Sequence, residues 1–113
     1  MGDTMTADEI LGVVMTWFRQ VGGASLQLPS GWFGRPFDNL HRLTSGTVAA
    51  DRLLLVLDDQ LLLSLAHPRT VVYDQKNLRL SGFDHATWDW DEYGGGKSHL
   101  ETFEGGEVSF VAP

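Results

Sequence analysis

The sequence predicts an α+β domain: one N-terminal helix packed on a curled antiparallel meander sheet of about six to seven short strands, with partial closure into a barrel as a variant. Three observations carry this prediction. A capped segment with helical periodicity occupies about residues 6–21. Everything after Gly23 breaks into short apolar runs between turn residues. The chain has 113 residues, 42% hydrophobic and 20% charged, which makes one domain (1–113) with a core of its own.

The helix starts at Thr6, three residues before Glu9, the spacing of a capping box in which each side chain bonds the other residue's free backbone N–H. Ile10, Leu11, Val13, Val14, Met15, Trp17, Phe18 and Val21 follow. At 100° per residue they sweep an arc of roughly 200°, wider than a surface helix needs. Gly22 and Gly23 end it by supplying positive φ. A helix so broadly apolar is expected to be buried on more than one side.

The strongest strand signal is the pair of runs Leu53–Leu57 and Leu61–Leu65 around Asp58, Asp59 and Gln60. With a two-residue loop, the period of two puts Leu54, Val56, Leu61, Leu63 and Leu65 on one face, expected to be core. Leu53, Leu55, Leu57, Leu62 and Ser64 take the other, expected to lie under the helix. His67-Pro68 closes this hairpin, because proline cannot continue a central strand. Further strands are expected at about 70–73, 78–83, 87–93, 99–104 and 107–112. Gly105-Gly106 between the last two is a hairpin signature.

Charge narrows the partners. Eight bases against fifteen acids give −7. The imbalance sits at the end of the chain: after residue 80 there are seven acids and only Lys97. Such a field repels phosphate, so nucleic acid and anionic membrane are not expected partners, and a basic protein surface is. There is no cysteine, hence no disulfide or thiolate metal site. No apolar run is long enough to span a bilayer, and acids precede the first one. A cytoplasmic protein is expected.

Catalytic motifs are absent from the pattern. Gly94-Gly95-Gly96-Lys97-Ser98 has Asp91 where a phosphate loop needs its first glycine, and a strand instead of a helix follows. His41, His67, His85 and His99 form no helical ligand pair. No cofactor and no metal are expected, and the expected role is non-enzymatic: docking of a protein partner. The alternative is a small apolar ligand held beside the helix, with a small enzyme of unidentified class as a third reading.

Two segments carry the candidate site residues. One is the aromatic, turn-rich loop with Trp32, Phe33, Arg35, Asp38, Asn39 and His41, which either folds back on the core or forms a binding surface. The other is Trp88-Asp89-Trp90-Asp91-Glu92-Tyr93, whose alternation sends the tryptophans to the core and Asp89, Asp91 and Tyr93 outward as an acidic face. Because the helix is broadly apolar and the leucine hairpin apolar on both faces, a homodimer is also expected.

Overall fold

A computed structural model describes residues 5–33, 40–91 and 98–113, with Asp91 described by its backbone alone. Along the chain run α1 (Ala7–Val21), β1 (Ser25–Leu28), β2 (Gly31–Phe33), β3 (Leu43–Ala49), β4 (Arg52–Leu57), β5 (Leu61–Ala66), β6 (Thr70–Tyr73), β7 (Asn77–Ser81), β8 (His85–Asp91), β9 (Ser98–Phe103) and β10 (Glu107–Val111). The fold is α+β, as the sequence predicts. The sheet differs: the strands form two five-stranded antiparallel sheets, in the orders β2-β1-β10-β7-β6 and β3-β4-β5-β8-β9. We call them the first and second sheet. An isolated bridge between Ala24 and His41 joins the strand extensions of the two. A single curled meander is therefore not what forms. The turn-rich stretch contributes β2, and β3 lies where the sequence shows no strong apolar run.

The helix begins as its capping box requires. Thr6 Oγ1 accepts from the Glu9 N–H at 3.2 Å, and Glu9 Oε1 accepts from the Thr6 N–H at 3.0 Å. Gly22, at φ 83°, closes the last turn by donating to the Phe18 carbonyl. Ile10, Val14, Trp17 and Phe18 face the core. The helix packs on β3, β4 and β6, so it closes the side between the two sheets rather than covering a face. Gly46 of β3 permits this approach: a Cβ there would lie 2.6 Å from Leu11 Cδ1.

The second strand of the leucine hairpin turns the expected face, Leu61, Leu63 and Leu65, to the core, but the first strand is reversed: Leu53, Leu55 and Leu57 face the core instead of Leu54 and Val56. The hairpin loop holds three residues, Asp58, Asp59 and Gln60, and Leu57 pairs with Leu61, Leu55 with Leu63 and Leu53 with Leu65. These six are buried, as are Ser64 and Ala66. Leu54, Val56 and Leu62 point to the other face and are half-buried. A one-residue change in loop length moves a whole strand's side chains to the other face.

The final glycine pair does not make a hairpin. β9 pairs with β8 in the second sheet, and β10 crosses to the first, between β1 and β7. Gly106, at φ 104°, sits beside Pro29, where an added Cβ would lie 3.1 Å from Pro29 Cβ, and the chain passes there toward β1. Leu26, Leu28, Leu78, Leu80, Val108 and Phe110 from the first sheet meet the six leucines and Trp88 of the second in one core.

Candidate functional site

The loop candidates separate. Arg35, Asp38 and Asn39 lie outside the described residues. Trp32, paired with Gln27, turns outward at the rim of the first sheet and is 41% exposed. Phe33 turns inward, edge-on to Trp88 and Trp90 with ring centroids 4.9 and 5.2 Å away. The buried His41 ring is tilted beside it at 5.6 Å.

His41 is anchored at three points. Its backbone exchanges both hydrogen bonds with Ala24, at 2.8 and 3.0 Å. Its Nδ1 lies 2.7 Å from Asp58 Oδ2. The other Asp58 oxygen accepts from the Arg42 N–H at 3.0 Å. Asp58 therefore clamps the segment before β3 to the β4–β5 turn. The pairing puts the proton on Nδ1 when the carboxylate accepts it, and Nε2 is sealed from solvent. A sealed Nε2 does not reach a substrate, so this His–Asp pair is a clamp. Three nitrogens in this neighbourhood, His41 Nε2 and the indole nitrogens of Trp88 and Trp90, are buried without a hydrogen-bond partner among the described residues.

On the acidic strand, Trp88 is fully buried, Trp90 half-buried and Asp89 exposed, the alternation expected. Tyr93 and the Asp91 side chain lie outside the described residues. The surroundings of Asp89 come from strand register. Ser45 pairs with Val56, Val56 with Leu62, Leu62 with Asp89, and Asp89 with Leu100. These five residues form one row across the outer face of the second sheet. Leu100 is 67% exposed, the most exposed large apolar side chain described. Asp89 has no ion pair or hydrogen bond among the described residues. The next row runs Thr47, Leu54, Ser64, Thr87 and Thr102, with the Arg52 guanidinium donating to Ser64 Oγ at 3.0 Å.

The other inward residues of β9 are half-buried. His99 stacks on Trp90 at 4.3 Å, and Glu101 pairs with Trp88. Glu104 and Glu107 are exposed on the crossing between the sheets, not at a hairpin tip.

Three carboxylates are held below the ordinary range. Hydrogen bonds from Thr6 do this for Glu9, and backbone N–H groups of Lys76 and Asn77 for Asp74. At Asp84 the Arg69 guanidinium does it, 2.9 Å away. All three are exposed and structural. Among the described residues, no group of three or more His, Asp or Glu stands close enough to hold a metal ion, and no helix is long and apolar enough to cross a membrane.

No protein-family model, curated protein or solved structure matches the chain.

Proposed function

We propose that the chain is a non-enzymatic docking domain that takes a protein partner on the outer face of its second sheet. The contrast between the two outer faces carries this reading. On the three central strands of the first sheet the outward row reads Gln27, Ser109 and Arg79, all polar, with Trp32 and Val72 continuing it on the edge strands. On the three central strands of the second sheet the row reads Val56, Leu62 and Asp89, with Ser45 and Leu100 on the edges. Both sheets come from one chain and meet the same solvent, so composition does not account for the difference. Apolar rows left on a surface mark interaction sites.

Asp89 specifies the partner. A carboxylate losing its water among leucines is costly unless a cation meets it. The partner surface therefore presents Lys or Arg surrounded by apolar side chains. A second copy of the chain is a poorer occupant, because a two-fold axis through this row sets Asp89 against its own copy.

The test is photo-crosslinking from benzoylphenylalanine placed at Leu100, with Gln27 as control, in the cells that make the protein. An adduct from position 100 alone, abolished by Asp89→Arg, supports docking. Equal adducts from both positions, or an adduct indifferent to Asp89→Arg, refute it. With the partner in hand, Asp89→Asn slows association several-fold at low salt and less at high salt, because exposed charge acts mainly on encounter.

A second reading, a small ligand near Phe33, has one observation in its favour: the unpartnered nitrogens of His41, Trp88 and Trp90. Native mass spectrometry of the intact protein tests it by any mass retained beyond 12.5 kDa.

A further inference from the structure

The helix and β6 run side by side. The Met5 N–H donates to the Arg69 carbonyl at 3.0 Å, and the Trp17 indole N–H donates to the Asp74 carbonyl at 2.8 Å. Between these bonds, about 18 Å of helix accompanies about 17 Å of strand, from 1.5 and 3.3 Å per residue. An open groove of about 560 Å³ runs along the helix, lined by Met5, Glu9, Gly12 and Val13 among others, and reaches β6 at Tyr73, the one β6 residue in its described lining.

The edge of β6 is flanked by α1 and bonded to the chain at Arg69, but Val71 and Tyr73 between these contacts carry no protecting device of their own. Its sequence, Thr70-Val71-Val72-Tyr73, has no charge and no proline, the usual devices against added strands. The hydrogen-bond phase shows which groups it offers. The Asp74 N–H bonds the Asn77 carbonyl, so Val72 and Thr70 face β7, while Val71 and Tyr73 direct N–H and C=O outward. Arg69 continues that phase, and its outward carbonyl already accepts from Met5. No backbone bond outside the β6–β7 ladder reaches Val71 or Tyr73 among the described residues.

Gly12 is an independent sign. It lies mid-helix, where alanine is the better helix former, yet beyond the helix's own backbone no atom of the described residues comes within 4 Å of a Cβ placed on it. Its own fold gives no reason for a glycine, and it lines the groove, where a bare backbone lets another chain come close. Glu9 is the one charged side chain in the groove's described lining. Only one of its oxygens is engaged by Thr6.

We propose that an extended segment of a partner protein, apolar at alternate positions and carrying a Lys or Arg opposite Glu9, adds to the free edge of β6 and lies over the α1 groove. The added strand pairs with Val71 and Tyr73 and rests on the Gly12–Val13 flank of the helix. This is recognition by strand addition, separate from docking on the second sheet.

The experiment uses the full chain and a dodecapeptide selected on it from a random phage-displayed library. The expected peptide alternates apolar residues, contains a base, and slows amide exchange at Val71 and Tyr73. Val71→Pro removes an outward N–H without touching the β6–β7 ladder and weakens binding at least tenfold. Gly12→Ala raises the thermal midpoint yet weakens binding several-fold. Asp89→Asn leaves peptide affinity within twofold, which separates this site from the second-sheet face. The proposal is overturned if no peptide is enriched, or if Val71→Pro binds equally well. It is also overturned if the two amides gain no protection in the wild-type complex, or if a dimer already protects them without peptide.

Discussion

Asp58→Ala should be among the most damaging single changes outside the apolar core, although its side chain is one-third exposed. The substitution removes the carboxylate that lies 2.7 Å from His41 Nδ1, and a bond to a charged acceptor contributes about 1.5–3 kcal/mol. The bond from the Arg42 N–H, 3.0 Å long, is lost as well and is worth about 1 kcal/mol. Asp58 also sits at φ 54°, a left-handed conformation that aspartate tolerates better than alanine, at a difference of about 1 kcal/mol. The total is about 4 kcal/mol against a stability of roughly 5–15 kcal/mol for such a domain. Urea unfolding followed by tryptophan fluorescence measures it, with an unchanged slope showing that the transition stays two-state. Asp58→Asn keeps an acceptor oxygen and the backbone tolerance, so it should cost about half as much. The double cycle with His41→Ala should give a coupling of about 1.5–3 kcal/mol. A loss below about 1 kcal/mol for Asp58→Ala, or strict additivity in the cycle, would refute the clamp.

Thr6→Ala should cost about 1 kcal/mol by opening the capping box, measured as a lower urea midpoint at unchanged slope. Trp17→Phe keeps most of the packing but deletes the N–H that reaches the Asp74 carbonyl, so it should lose about 1–2 kcal/mol and free the β6 end in amide exchange. Leu55→Ala, at a site with no exposure, should cost about 2–5 kcal/mol, whereas Asp89→Asn should stay within about 0.5 kcal/mol of the wild type. Glu9 and Asp74 have folded pKa values below their unfolded ones. Their contribution is complete above the unfolded values and is lost as pH falls through the folded ones, so the urea midpoint should be flat from neutrality to about pH 5 and drop below about pH 4. Asp74→Asn should shrink that drop.

Local signals were legible and long-range ones were not. The capping box joins residues three apart, and the helix came out as Ala7–Val21 within the expected bounds. The strands from Leu53 onward lie within a residue or two of the expected positions, because each is a short apolar run between turn residues. Pairing depended on more. Gly105-Gly106 is a sound hairpin signal, yet among the described residues β10 is the strand that joins β1–β2 to β6–β7. Placing it there gives Phe110 partners on both sides in the first sheet, Leu26 and Leu78, and pairs Val108 with Leu80, which outweighs the local turn preference. The leucine hairpin shows how little separates one face from the other. Asp58 and Asp59 both adopt positive φ and the loop holds a third residue, Gln60, so β4 turns its other face to the core while Leu61, Leu63 and Leu65 of β5 stay on the expected one.

The same distinction governs the candidate site. Alternation along one strand tells which way a side chain points, and it sent Asp89 outward and Trp88 inward as found. Alternation says nothing about neighbours. Leu62 and Leu100 flank Asp89 only because β5 and β9 pair with β8 in one particular register. Asp58 meets His41 only because the bridge at Ala24 brings the segment before β3 to the β4–β5 turn. An aspartate on a polar face is solvated and contributes to solubility. The same aspartate between two leucines loses that water when a partner covers the row, and then discriminates against any partner without a cation to offer. The chemical character of Asp89 is thus a property of the five-strand row rather than of the Trp-Asp-Trp-Asp segment that first draws attention to it. That is why the docking proposal rests on the register through Val56, Leu62 and Leu100, and why Leu100, not a second acid, is the position from which to search for the partner.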